Sequence, residues 1–179
     1  MKTFLIKLHW FVTSQFGFDP QLFLRSLRGL FKFFSDWVKF RKGFFGKIKF
    51  MPCLHDRYEE GGATKSEYFW QDLIVARAIY EAKPNKHVDI GSRVDGFVAH
   101  VASFRDCEVF DVRPISTKVP GVVFRQADLM NLNSFTLPIE GGYCDSLSCL
   151  HAIEHFGLGR YGDLVNPNGY KDGIANMAR

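Results

Sequence analysis

Residues 86 to 96, Lys-His-Val-Asp-Ile-Gly-Ser-Arg-Val-Asp-Gly, join a short apolar run to a glycine break and set Asp89, Arg93 and Asp95 around it. His87 to Ile90 reads as a buried strand, and Gly91 supplies a backbone conformation that other residues resist. The apolar spacing of Phe97, Val98, Val101, Ala102 and Phe104 suits a helix packed on a sheet, and Cys107-Glu-Val-Phe-Asp-Val112 reads as the next strand. That strand brings Asp111 about 20 positions beyond the glycine break, where a carboxylate can accept both hydroxyl protons of a ribose. The outline is that of a nucleotide-type cofactor site.

Glycine spacing decides between cofactors. A dinucleotide site needs Gly-x-Gly-x-x-Gly, so that a pyrophosphate reaches the backbone at a helix N-terminus. This chain has only Gly91 and Gly96, with Ser92, Arg93, Val94 and Asp95 between them. Asp89, two positions before the first glycine, would repel a pyrophosphate and suits a cationic ligand. S-adenosylmethionine, with its sulfonium and ammonium groups, is such a ligand.

Across roughly residues 85 to 160 the sequence resembles the class I, Rossmann-like S-adenosylmethionine-dependent methyltransferases. The Asp-Ile-Gly-Ser run at 89 to 92 is similar to their first motif, which extends here through Arg93 and Gly96. The resemblance implies that Asp111 binds ribose and that Asp128, followed by Leu129 in Phe124-Arg-Gln-Ala-Asp-Leu129, reads the adenine amino group. Tyr143-Cys-Asp-Ser-Leu-Ser-Cys-Leu-His-Ala-Ile-Glu-His155 is similar to the fourth strand and its following loop. More narrowly, Tyr68-Phe-Trp-Gln-Asp72, Asp89-Ile-Gly-Ser-Arg93 and the run from Ser148 to Asp163 resemble an uncharacterised methyltransferase-like domain family of bacteria and nematodes. The activity this implies is methyl transfer to an oxygen or nitrogen of an acceptor, a small molecule or a glycan-type compound. The rival reading is a non-catalytic methyltransferase-like binding module.

Arg93 stands where the superfamily usually has a second glycine. Its guanidinium could pair with the methionine carboxylate of the cofactor, or with Asp95 or Asp111. His151-Ala-Ile-Glu154-His155 matches a zinc-hydrolase pattern, but it follows a strand directly and has only Asp163 and Asp172 downstream as further carboxylates, so no metal is expected. In a methyltransferase the same loop lies beside the reacting methyl group. His151 or His155 is then the candidate base and Glu154 its orienting partner or a cofactor contact; the alternative is that each histidine bonds to nearby backbone. The loop from Phe156 to Gly162 has three glycines and could close over a substrate.

The elements that position these residues are bounded by composition. A chain of 179 residues, 46% hydrophobic, can bury one substantial core. Residues 1 to 50 hold ten Lys or Arg against Asp19 and Asp36, a net of +8, so the remainder of a chain of net charge +4 carries −4. Twelve of the 19 phenylalanines lie there too. Asp19-Pro20 is a helix start, and apolar residues from Phe23 to Val38 recur at helical spacing with Arg25, Arg28, Lys32 and Lys39 on the other side. Over residues 20 to 40 this amphipathic pattern suits either an anionic membrane surface or docking on the rest of the protein. Nucleic acid is disfavoured, because the aromatics do not alternate with the basic residues.

The first twelve residues are not read as a signal peptide, since Lys7 and His9 interrupt the apolar run. Cysteines 53, 107, 144 and 149 form no Cys-x-x-Cys pair and read as small core residues of a reducing, cytoplasmic compartment, peripheral at a membrane if the helix binds one. Pro52 and Gly61-Gly62 mark a connector over 51 to 65. Thr64-Lys-Ser-Glu67 reads as a capping box opening a helix to Ala82. The resemblance implies that its start, with Tyr68, Phe69 and Trp70, covers the cofactor, while Phe69 and Trp70 read more simply as packing residues. The expected fold is therefore α/β and Rossmann-like, with a mainly parallel sheet over 66 to 179 that appears truncated after the fourth strand. An edge left there would favour an oligomer or a partner chain that completes the sheet.

Overall fold

The computed structural model describes residues 2–131 and 142–178. The chain divides into two compact units, Met1–Ala63 and Thr64–Arg179. In the first unit, helix α1 (Lys2–Phe16) ends at Gly17, whose left-handed φ of 69° lets its N–H reach the Thr13 carbonyl at 3.0 Å. Helix α2 (Pro20–Gly43) begins as its sequence demands: Asp19 accepts the N–H groups of Gln21 at 2.8 Å and Leu22 at 3.2 Å, and Pro20 occupies the first helical position. Beyond it the chain returns along one face of α2. Phe50 meets Phe33 edge-on at 5.3 Å, Arg57 pairs with Asp36 at 2.6 Å, and the Leu54 carbonyl lies where a side chain on Gly29 would be. Among the described residues, no helix is long and apolar enough to cross a membrane.

The second unit is α/β. Helix α3 (Glu67–Ala82) precedes strand β1 (His87–Ile90), a wide turn at Val94–Val98, helix α4 (Ala99–Ala102), strands β2 (Cys107–Asp111), β3 (Val122–Gln126) and β4 (Ser146–Ser148), and helix α5 (Gly169–Met177). All strand pairs are parallel, in the order β3-β2-β1-β4, giving the expected Rossmann-like arrangement. One expectation fails locally. The N-cap of α3 is Ser66, not Thr64, and it makes no side-chain cap bond, so no capping box forms. Glu67 instead enters the first turn, where its carboxylate complements the helix dipole. Phe69 and Trp70 lie edge-to-face with each other at 5.6 Å on an exposed face, so they are not core residues.

Alternation along the strands divides the core between the two sheet faces. Ala76 and Ile79 of α3 pack with Phe97, Val98, Val101, Cys107 and Val109 on one face. Val88, Ile90, Phe110 and Leu129 gather on the other, backed by Phe156 and Met177. Burial pushes the Cys107 thiol up to about 12 and that of Cys149 up to about 11, so both act as small apolar groups. Glu108 is a buried exception, held by Lys86 at 2.9 Å, by the Tyr143 hydroxyl at 2.8 Å and by Arg125. Asp145 accepts the N–H groups of Asn85 and Lys86, each at 2.7 Å, and so fixes the start of β1 beside β4.

Two further buried polar residues lie on β1 itself. His87 and Asp89 are 2% and 0% exposed in a strand whose parallel neighbours would favour a continuous apolar run. Their polar atoms are satisfied across the sheet. His87 Nδ1 lies 2.8 Å from Ser146 Oγ and Nε2 lies 3.1 Å from Ser148 Oγ, while Ser148 donates to Asp89 Oδ2 at 2.6 Å. With Asp89 ionised, the single Ser148 proton points to Asp89, so His87 Nε2 must donate and Nδ1 must accept. Burial pushes the Asp89 carboxyl up to about 6, despite hydrogen bonds from Ser148 and Ser92. Burial, with Arg105 acting in the same sense, lowers the His87 imidazole to about 4.

These two shifts act on stability with opposite signs. Between about pH 4 and 6 native Asp89 holds a proton that the unfolded chain releases, so its contribution falls as pH rises. In nearly the same window native His87 is neutral while the unfolded imidazole is protonated, so its contribution rises. Relative to wild type, Asp89→Asn should gain up to about 3 kcal/mol of stability between pH 4 and 6 and His87→Asn should lose a similar amount. Urea unfolding across that range measures both, and slopes of the same sign would refute the pairing.

Candidate functional site

At the C-terminal edge of the parallel sheet, β1 passes into a turn built on Gly91. Its φ of 72° lies in the left-handed region, its N–H donates to the Phe110 carbonyl at 2.8 Å, and a Cβ there would come within 2.8 Å of the Ala152 Cβ. Ser92 follows, buried, donating its N–H and hydroxyl to the Asp89 carboxylate at 3.0 and 2.7 Å and accepting the Leu150 N–H at 3.2 Å. Asp89 therefore shapes the turn from beneath. It does not line either of the cavities above it, which corrects the expectation of direct contact with a cationic ligand.

Two adjoining cavities open over this turn. The narrower, about 50 Å³, is lined by Gly91, Asp111, Asp128, Leu129, Met130 and Phe156 among others. The wider, about 320 Å³, includes Tyr68, Asp72, Ser92, Arg93, Gly96 and His151 in its walls. Gly91, Arg113, His151, His155 and Tyr161 border both. The structure thus gathers Gly91, Ser92, Arg93, Gly96, Asp111, Asp128, Leu129, His151 and His155 around one crevice, at the point between β1 and β4 where the strand order reverses. Ligands of open α/β sheets bind at that point. Glu154 lies outside these walls, exposed, with Oε1 3.9 Å from His151 Nδ1, beyond hydrogen-bond distance.

The rim is rich in guanidinium groups, each directed to a neighbour. Arg93 forms two bonds to Asp95, at 3.0 and 2.6 Å, and not to Asp111. Asp111 is instead gripped by Arg113, through Nε at 3.0 Å, Nη2 at 2.5 Å and the backbone N–H at 2.8 Å. Of the roughly four acceptor sites of a carboxylate, these contacts leave Oδ2 the less occupied oxygen. Arg113 also stacks on the Tyr161 ring at 4.4 Å, and Arg160 lies over the same ring at 5.2 Å while reaching His155 Nε2 at 3.1 Å. Asp163 holds that loop by accepting the N–H groups of Gly159 and Tyr161. Burial opposes its ionisation, but these backbone bonds outweigh it and keep its carboxyl below the usual range.

His151 differs from His155. Its backbone φ is 52°, an uncommon conformation for a residue with a side chain, its ring lies 4.0 Å from that of Tyr68, and its buried Nε2 has no hydrogen-bond partner among the described residues. Asp72, one turn after Tyr68 on α3, reaches to 2.9 Å from where a Gly96 Cβ would stand, and burial raises its carboxyl above the ordinary value. Sequence reasoning assigned no role to Asp72, Arg113 or Tyr161. The i, i+4 spacing of Tyr68 and Asp72 could have pointed to Asp72, whereas nothing local links Arg113 to Tyr161. His151, Glu154 and His155 do not converge as metal ligands. Among the described residues the converging set is the exposed His55, Asp56 and Glu59 of the first unit.

Both the strain and the contact at Gly91 should be measurable. Gly91→Ala is expected to cost about 2–4 kcal/mol, combining left-handed strain with the Ala152 clash. Gly162, at φ 83° with open space where its Cβ would be, supplies the control: Gly162→Ala should cost only about 1–2 kcal/mol. Equal losses in urea unfolding would remove the close approach as a constraint on the turn.

Compared with known proteins, the chain matches no family model, no curated protein and no solved structure, so its chemistry is read from these side chains and their cavities.

Proposed function

We propose that the chain is a class I, Rossmann-like S-adenosylmethionine-dependent methyltransferase-like protein that transfers a methyl group to an oxygen or nitrogen of its acceptor. The observation that carries this reading is the convergence of Asp111 at the end of β2 and Asp128 after β3 on the crevice above the Gly91 turn. A strand-end carboxylate suits a ribose, and a second one beyond the next strand suits an adenine amino group. S-adenosylmethionine supplies, when bound, an electrophilic methyl group on a sulfonium. Asp72 offers a carboxylate to the amino-acid end of the cofactor, and the Gly91 backbone lets the ligand approach closely. His151 Nε2, buried beside Tyr68 and without a partner among the described residues, would accept the proton leaving the acceptor's O–H or N–H. For Asp111 to take both ribose hydroxyls, Arg113 must yield part of its grip.

That grip also favours a second reading, in which the domain binds a ligand without turnover. Arg113 occupies Asp111, and Arg160 occupies His155 Nε2, which removes the second histidine as a free base.

Calorimetric titration with S-adenosylmethionine tests the first step. Asp111→Ala should weaken binding by about 1.5–3 kcal/mol, roughly 10- to 150-fold. Unchanged affinity in a folded variant would remove the cofactor assignment. Formation of S-adenosylhomocysteine with small-molecule or glycan-type acceptors, lost in His151→Gln, supports catalysis; binding with no product from any acceptor favours the module.

A further inference from the structure

The return segment of the first unit meets α2 along the line of Gly29, Phe33 and Asp36, and so leaves another face of the helix open. On that face Leu24, Leu27, Phe31 and Val38 recur at steps of three, four and seven residues and are exposed, Phe31 to 82%, while Phe34, its ring 6.5 Å from that of Phe50, borders the packed side. Just past the helix Phe45 is 93% exposed, followed by Lys47 and Lys49. We propose that this face is a docking surface for an anionic phospholipid bilayer, with α2 lying in the plane of the headgroups.

The charges select this occupant. Arg28 and Lys39 flank the apolar stripe and have no carboxylate partner among the described residues. The one acidic residue within α2, Asp36, is turned to the packed face and taken by Lys32 at 2.8 Å and Arg57 at 2.6 Å. The open face therefore presents apolar rings edged by unneutralised cations, the pattern of a helix that sinks its rings to the acyl boundary and leaves its cations among phosphates. A second copy fits poorly. Continuing the three-four spacing from Val38 brings Arg41 into the stripe, no acid flanks it to pair with the cations of another α2, and two first units would each bring a net charge of +8 from residues 1 to 50. A single-stranded nucleic acid would need rings interleaved with cations, whereas here the rings form one continuous stripe. The helix does not meet the requirements for spanning a bilayer, so it lies on one.

The test is flotation of the full chain with phosphatidylcholine vesicles with and without phosphatidylserine. Recovery with the phosphatidylserine vesicles alone, reversed by raising salt, is expected. Replacing Arg28 and Lys39 together by Gln should lower partitioning about 30-fold. Phe31→Ser should lower it for an apolar reason, with far-ultraviolet circular dichroism confirming that both variants keep their helices. Failure to float with anionic vesicles at low salt, equal recovery with neutral vesicles, or binding that neither variant changes would overturn the proposal. So would a lipid-free dimer that Phe31→Ser dissociates, because the face would then be covered by a second copy.

Discussion

The Asp89 carboxylate is the point on which the second unit turns. It is fully buried, and its hydrogen bonds come from two separate places: the Ser92 N–H and hydroxyl in the turn after β1, and the Ser148 hydroxyl on β4. An ionised carboxylate in such a place persists only if its acceptor sites are filled. The position of the turn and the register of β4 are therefore set by one side chain. Ser92 extends the constraint by accepting the Leu150 N–H, which leads directly into His151. His87 supports the same arrangement from the other end of β1 through Ser146 and Ser148. A polar seam inside an apolar sheet adds less net stability than good packing would, but it admits few alternative registers.

Above this seam the crevice is lined by groups that are partnered locally. Arg93 pairs with Asp95, Arg113 pairs with Asp111, and Arg160 donates to the His155 imidazole. Any ligand that enters must exchange with one of these contacts or fit between them. The planar guanidinium of Arg113 is the most constrained, because it is bidentate on a buried carboxylate and stacked on Tyr161 at once. Movement at Asp111 is thus tied mechanically to the glycine-rich loop that carries Tyr161.

How much of this was legible followed the range of the interactions. The strands β1 and β2, the Gly91 break and the Asp19-Pro20 start of α2 are written in short local patterns, and the structure contains them. Helix α1 carried no such cap and was not assigned. Thr64-Lys-Ser-Glu67 matched a capping box with Thr64 as its cap, whereas the helix begins two residues later, after Ser66. Asp111 stood out because it ends the second strand, and Asp128 was singled out only through the resemblance; both border the crevice. What escaped notice depends on partners far apart in sequence. Buried His87 is solvated by serines 59 and 61 positions away, and Arg113 meets Tyr161 only because the loop after β4 folds over the end of β2. The role of Asp89 was misjudged for a related reason: an acid near a glycine turn can face the ligand or the core, and the serine that decides the matter lies on another strand.

Gly29 carries a different lesson. Among the described residues of the first unit it is the one that is fully buried, and what buries it is the Leu54 carbonyl, in the space a side chain would otherwise fill. The interior of this unit is therefore backbone against backbone at its tightest point, with little apolar area removed from water. Since the heat-capacity change of unfolding scales with apolar area, the unit in water has the thermodynamic character of a long peptide helix more than that of a domain. Its melting should be gradual and spread over a wide temperature range.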